Sequence, residues 1–199
     1  MTSQQRRLAL LTSALLVVAT ALPARALEDG PTLDASVGLQ LQPGPGMVGT
    51  VDFSAALLPS VVMNAGLMTA PDITSFFAGD MAVRFVGNTG AFMPLSLQTT
   101  LGFGLGTFIR TVPPSVHKSE SDFGAYMFMP IGLGYTLPVL GVKAEALYEV
   151  PAVYFFKTVG SPAHWNFSLS GGLAALRWKV HYEVGEVFNG PGASVGMRF

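Results

Sequence analysis

Leu33-Asp34-Ala35-Ser36-Val37-Gly38-Leu39-Gln40-Leu41-Gln42 alternates apolar and polar or small residues without a break. A period of two sends successive side chains to opposite faces of an extended chain, so this stretch reads as a β-strand with one greasy and one polar face. Pro43-Gly44-Pro45-Gly46 cannot continue a ladder and reads as a turn. Beyond it Gly49, Val51, Phe53, Ala55 and Leu57 alternate with Val48, Thr50, Asp52 and Ser54, which completes a hairpin.

The same grammar runs through the rest of the chain. Phe77, Met81, Val83 and Phe85 oppose Ala78, Asp80 and Arg84, and Leu95 to Leu105 alternates with Ser96, Gln98, Thr100 and glycines. Phe123, Ala125, Met127, Met129, Ile131, Leu133 and Tyr135 share one parity. Val142, Ala144, Ala146 and Tyr148 oppose Lys143, Glu145 and Glu149, while Leu176, Trp178, Val180 and Tyr182 oppose Arg177, Lys179, His181 and Glu183. Trp165, Phe167 and Leu169 form a further run that ends in a turn expected at Gly171-Gly172, and Ala193, Val195, Met197 and Phe199 form the last. Val61 to Thr69 has the weakest pattern.

Composition narrows the class. Of 199 residues, 50% are hydrophobic and only 12% are charged, yet no apolar stretch makes a good membrane helix. The charge-free stretches Phe53 to Pro71, Asn88 to Ile109 and Phe123 to Val142 are long enough. They are broken by Pro59, Pro94, Pro130 and Pro138 and by Gly102, Gly104, Gly106, Gly132 and Gly134, which helix interiors tolerate poorly. The absence of cysteine removes disulfides, thiol catalysis and cysteine metal sites.

The first 26 residues read as an address. Arg6 and Arg7 precede an apolar stretch from Leu8 to Ala21, Pro23 ends it, and Ala24-Arg25-Ala26 offers a small-x-small cleavage site. Gln5 before the paired arginines, with no Phe-Leu-Lys after them, points to ordinary unfolded export. Loss of Arg6, Arg7 and Arg25 leaves eight bases against twelve acids, which argues against nucleic acid as a partner.

Charge placement separates a membrane barrel from a soluble β-sandwich or lipocalin-like barrel, which alternates in the same way. The polar parity carries Asp34, Asp52, Asp80, Glu145, Glu149 and Glu183 against Arg84, Lys143, Arg177, Lys179 and Arg198, with His181 among them; the apolar parity carries essentially none. Near-matched charges on one face suit an enclosed lumen of ion pairs, since Lys or Arg at a lipid-facing midplane costs about 2–4 kcal/mol. The expected fold is therefore all-β: a closed antiparallel up-and-down transmembrane barrel of eight to ten strands over residues 27–199. Eight is favoured by the small size of the domain. With an even count both termini face the periplasm, and on the ten-strand reading the polar Thr111–Asp122 connection falls on the outer side.

Gly192-Ala193-Ser194-Val195-Gly196-Met197-Arg198-Phe199 resembles the β-signal of bacterial outer-membrane proteins, with Val195, Met197 and Phe199 at its apolar positions. Across residues 27–199 the architecture resembles the small barrels of the OmpA, OmpX and OmpW type. That resemblance implies an outer-membrane location, lipid and lipopolysaccharide as surroundings, and the barrel-assembly machinery and periplasmic chaperones as partners during biogenesis. A monomer is expected, with Tyr135, Trp165, Tyr182 and Phe199 near the membrane interfaces.

Candidate chemistry is sparse, and neither a cofactor nor a metal is expected. Gly102-Phe103-Gly104-Leu105-Gly106 has a strand period and no following base, so it does not read as a phosphate loop. Its glycines, with Gly124, Gly132 and Gly134, fall on the inward parity and are expected to make room for long charged side chains from the opposite wall, with a small cavity as the alternative. His181-Tyr182-Glu183 superficially resembles the catalytic stretch of lipid A deacylases, but Glu183 stands where that family needs serine. His117, Glu120 and Asp122 read as a solvated loop, and His164 needs no special role. The leading expectation is a non-enzymatic barrel with a structural, envelope-integrity or surface-interaction role and a lumen largely filled by paired charges. A narrow channel for small or apolar solutes and a lipid A-modifying enzyme are the alternatives.

Overall fold

The computed structural model describes residues 32–42, 46–58, 60–71, 75–88, 97–111, 121–137, 142–157 and 160–199. The expected leader, the Pro43–Pro45 turn, His117, Glu120 and the 138–141 connection lie outside them. Ten strands run in chain order: β1 (Thr32–Gln42), β2 (Gly46–Leu58), β3 (Val61–Thr69), β4 (Phe76–Asn88), β5 (Leu97–Thr111), β6 (Ser121–Leu137), β7 (Val142–Lys157), β8 (His164–Leu173), β9 (Leu176–Gly185) and β10 (Gly190–Arg198). Each pairs antiparallel with its sequence neighbours, and β1 pairs with β10 to close the barrel. The count is ten and not the favoured eight. Val61–Thr69, the least patterned segment, is a full strand because its neighbours supply the ladders on both sides, Asp52↔Gly66 and Gly66↔Asp80 among them.

The seam is continued past the strand end by backbone bonds. Phe199 N–H donates to Leu33 O at 2.8 Å, and Leu33 N–H donates to Phe199 O at 3.3 Å. Strand β1 begins, and β10 ends, at one end of the barrel, called here the terminal end; the other is the far end.

Pleating sends the two parities to opposite sides of the wall. Leu39, Leu41, Leu101, Leu105, Leu133 and Val195 stand outward and exposed, whereas Gln40, Thr50, Phe108 and Ser194 point inward and are buried. Register preserves this around the ring, as Ser36↔Asp52↔Gly66↔Asp80↔Gly106↔Tyr126 makes one inward row across six strands.

Two prolines mark local departures. Pro130 has no N–H to donate, and the β5–β6 ladder is interrupted between Leu101↔Ile131 and Gly104↔Phe128 with its register unchanged. Strand β7 continues past Glu149, beyond the reading from sequence, with register shifts against β6 that leave Ala152 and Phe155 without partners. Its pairing with β8 ends at Glu149↔His164, so Pro151 lies where β7 has one neighbour and a missing donor is tolerated. The extra residues leave both Phe155 and Phe156 exposed.

The β8–β9 turn falls at Ala174-Ala175, and Gly171 and Gly172 belong to the strand, two to three residues before the turn. The glycines sit where a side chain has no room, since a Cβ at Gly172 would lie 2.2 Å from Arg177 Nη1 and one at Gly171 would lie 2.7 Å from the Trp178 ring. The turn instead forces Ala174 to φ 53°, a left-handed conformation that costs a non-glycine residue about 1–2 kcal/mol. Ala174→Gly is therefore expected to stabilise the barrel by about 1 kcal/mol, read as a rise in the urea midpoint of refolded protein in detergent. An unchanged or lowered midpoint would count against strain at this turn.

Candidate functional site in the barrel lumen

The lumen has two unlike halves. Toward the far end the inward side chains are apolar: Val48, Phe76, Ala78, Phe108, Tyr126 and Phe128 from the strands, joined by Val187 and Phe188 from the β9–β10 connection. Phe188 meets Phe76 edge-on at 6.3 Å and Phe108 at 6.5 Å, and its ring lies 4.8 Å from His164. Such geometry is favourable for aromatic quadrupoles and fills the bore with rings.

The inward glycines make this filling possible. A Cβ at Gly104 would lie 2.5 Å from the Phe128 ring, one at Gly106 would lie 2.6 Å from that of Tyr126, and one at Gly124 would lie 2.5 Å from that of Phe108. The space at these three is thus taken by aromatic rings of the adjoining strand, whereas Gly102 abuts Pro130, Gly132 abuts Leu147 and Gly134 abuts Lys143, so the groups that fill it come from adjoining strands and not from the opposite wall as expected from sequence.

A polar latch holds the connection in place. Arg110 Nε donates to Asp122 Oδ2 at 3.0 Å, and its Nη1 donates to Glu186 O at 2.7 Å. Asp122, almost wholly buried, also accepts from Gly160 N–H at 2.9 Å, while Ser161 N–H donates to Glu186 Oε2 at 2.9 Å. The β7–β8 and β9–β10 connections are thereby tied to β5 and β6. Asp122 is a strand residue inside the barrel and not part of a solvated loop.

Below this plug lies a polar cavity of about 570 Å³, extending from Tyr126 and Phe188 to Asp34, Arg177 and Arg198 at the terminal end. Arg84 Nη2 bonds Glu149 Oε1 at 3.2 Å and Lys143 Nζ bonds Glu145 Oε1 at 3.0 Å. Arg198 grips Asp34 through two bonds of 2.7 Å, with Arg177 Nε at 3.9 Å from the same carboxylate. Glu183 accepts from Gln40 Nε2 and from Asn166 Nδ2, the latter at 3.1 Å. His181 Nε2 faces Gln40 Oε1 at 3.3 Å, and its Nδ1 has no partner. Asp52, Asp80 and Lys179 also line the cavity, but among the described residues none of the three is in an ion pair within 4 Å.

His164 is the residue whose place the sequence reading missed. It is buried in the bore, its Nδ1 lies 2.9 Å from Pro162 O, and its Nε2 is 3.8 Å from Glu149 and 3.9 Å from Glu183. The signal was present in the alternation: with Trp165, Phe167 and Leu169 outward, His164, Asn166 and Ser168 have to point in. Arg110 follows from the same rule applied to Gly102, Gly104, Gly106 and Phe108.

Of the residues expected from sequence to form an assembly signal, Val195 and Met197 stand exposed on the outer wall, and Phe199 extends the seam. No family model, curated protein or solved structure matches the chain.

Proposed function

We propose that the chain is an integral outer-membrane β-barrel with a structural or envelope-integrity role, closed to ion flow by its aromatic plug and entered from the terminal side. One observation carries this reading. Outward strand positions among the described residues hold no Asp, Glu, Lys, Arg, His, Asn or Gln, while the strand charges point into the lumen. About thirty large apolar side chains are exposed around the whole circumference, against the few hundred Å² patch typical of a water-soluble monomer. Lipid is the solvent that such a surface fits.

The dimensions agree with that placement. Strands β1, β3, β8, β9 and β10 have 11, 9, 10, 10 and 9 residues, within the span a tilted transmembrane strand needs. A closed ring leaves no unpaired backbone edge facing hydrocarbon. No helix among the described residues is long and apolar enough to cross a membrane, so crossing would be by strands. The terminal end then faces the periplasm, and lipid together with lipopolysaccharide surrounds the wall.

The narrow-channel alternative is disfavoured by Phe76, Phe108 and Phe188 in the bore. The lipid A hydrolase alternative is disfavoured by a His181 Nε2 that faces Gln40 and not a hydroxyl. The membrane placement is tested by fractionation and gel mobility. The protein is expected in the outer-membrane pellet, resistant to carbonate extraction, and migrating differently before and after boiling. Recovery as a soluble, heat-insensitive species would refute it.

A further inference from the structure

Of the six acids that line the cavity, Asp34, Glu145, Glu149 and Glu183 have side-chain donors. The two that lack one, Asp52 and Asp80, sit on either side of a single glycine. Gly66 pairs with Asp52 on β2 and with Asp80 on β4. A Cβ at Gly66 would lie 2.6 Å from Asp80 Oδ1 and 3.3 Å from Asp52 Oδ1, so both carboxylates lean over the same backbone position. Asp80 takes a backbone bond from Gly66, and the nearest cations act on the pair only at longer range, Lys179 on Asp52 and Arg84 on both.

A second observation points the same way. Thr50, one inward position from Asp52, is 4% exposed, lines the same cavity, and its Oγ1 has no partner. Asn64 Oδ1, one inward position from Gly66, also lacks a donor. Thr50 Oγ1 and Asn64 Oδ1 thus add two oxygens able to accept beside the Asp52 and Asp80 carboxylates, while the one partnerless donor of the same cavity on this side is Arg84 Nε, whose guanidinium is already engaged with Glu149. Enclosed carboxylates without a counter-charge are costly, and a cation placed between them removes that cost.

The surroundings select the kind of cation. The cavity, of about 570 Å³, is the size of a small-molecule site and far exceeds a metal ion's coordination shell. Its wall above the two acids is Met68, Tyr126 and Phe188, which apart from the Tyr126 hydroxyl is an apolar and aromatic surface and not the shell of oxygens a hard metal ion needs. The geometry points to a binding site for a small organic ammonium ion with an apolar or aromatic body. Its nitrogen sits between Asp52 and Asp80, and its body lies against Met68 and the Tyr126 ring, where a cation–π contribution is available. The site depends on the enclosed lumen and not on whether lipid or water surrounds the wall, so its failure would leave the membrane reading standing.

Calorimetric titration of the barrel, purified in detergent, with benzylammonium chloride tests this, with benzyl alcohol as the neutral isostere and calcium chloride as the metal control. Saturable binding of benzylammonium is expected, without binding of the other two. Asp52→Asn and Asp80→Asn are each expected to weaken it about tenfold or more, and Asp34→Asn at the terminal end to leave it unchanged. Gly66→Ala, whose methyl would push the carboxylates apart, is expected to weaken binding similarly, and it carries the test if an asparagine variant does not fold. Absent benzylammonium binding, equal binding of benzyl alcohol, preferred binding of calcium, or indifference to all three lumenal changes would overturn the proposal.

Discussion

A barrel carrying Val187→Ala and Phe188→Ala together is expected to conduct ions across a planar bilayer while the parent stays silent. Phe188 contacts rings from β4 and β5 and comes from a connection that folds back into the bore, so its loss leaves a gap on the axis and not in a wall. The polar cavity below already supplies charged and hydrogen-bonding groups to an ion, which leaves the aromatic layer as the barrier. Removing a buried phenylalanine also costs about 3–5 kcal/mol of stability, and the closed ring of ladders has to absorb it. Arg110→Ala reaches the same connection by releasing Glu186 and is expected to give brief, intermittent openings. Step-like currents from the parent, equal in size to those of the double variant, would show that the rings are not the constriction.

Leu105→Arg is the second large effect. Leu105 projects outward near the middle of the tall wall formed by β5, β6 and β7 and is 49% exposed. In lipid an arginine there costs about 2–4 kcal/mol, enough to lower the yield of folded, boiling-sensitive barrel sharply. On a water-soluble protein the same change at an exposed site would be worth no more than about 0.5 kcal/mol and would improve solubility. Measuring the urea midpoint of parent and variant after refolding into vesicles separates the two cases, and equal midpoints would remove the basis for membrane placement.

Most of the wall was legible because period-two alternation is a local property and each strand carries it independently. Asp34, Asp52, Asp80, Arg84, Lys143, Glu145, Glu149, Arg177, Lys179, His181, Glu183 and Arg198 all fall on the lumenal parity that their spacing implies. What alternation does not encode is which inward groups meet. Arg84 and Glu149 lie 65 positions apart, and Asp34 and Arg198 lie 164 apart, so their pairing follows only from ring closure and register. The plug was hidden for a related reason: Val187 and Phe188 belong to a connection, where no period applies. The glycines were read onto the correct face, but their occupants come from the next strand along, a relation that needs the Gly104↔Phe128 and Gly106↔Tyr126 register. Val61–Thr69 is what left the count between eight and ten: Asn64 and Gly66 dilute its alternation, and its standing as a strand rests on its ladders to β2 and β4.

The seam between β1 and β10 has a consequence for how such a molecule comes into being. Every other ladder joins segments adjacent in the chain and can zip as a hairpin, but β1 has no second partner until β10 arrives. Until then two raw edges and an uncovered greasy wall are exposed together, a state prone to sticking to its own kind. Closure is therefore expected to come last, as the contact most distant in the chain, and on the outer-membrane reading proposed above the open form would have to be shielded until then.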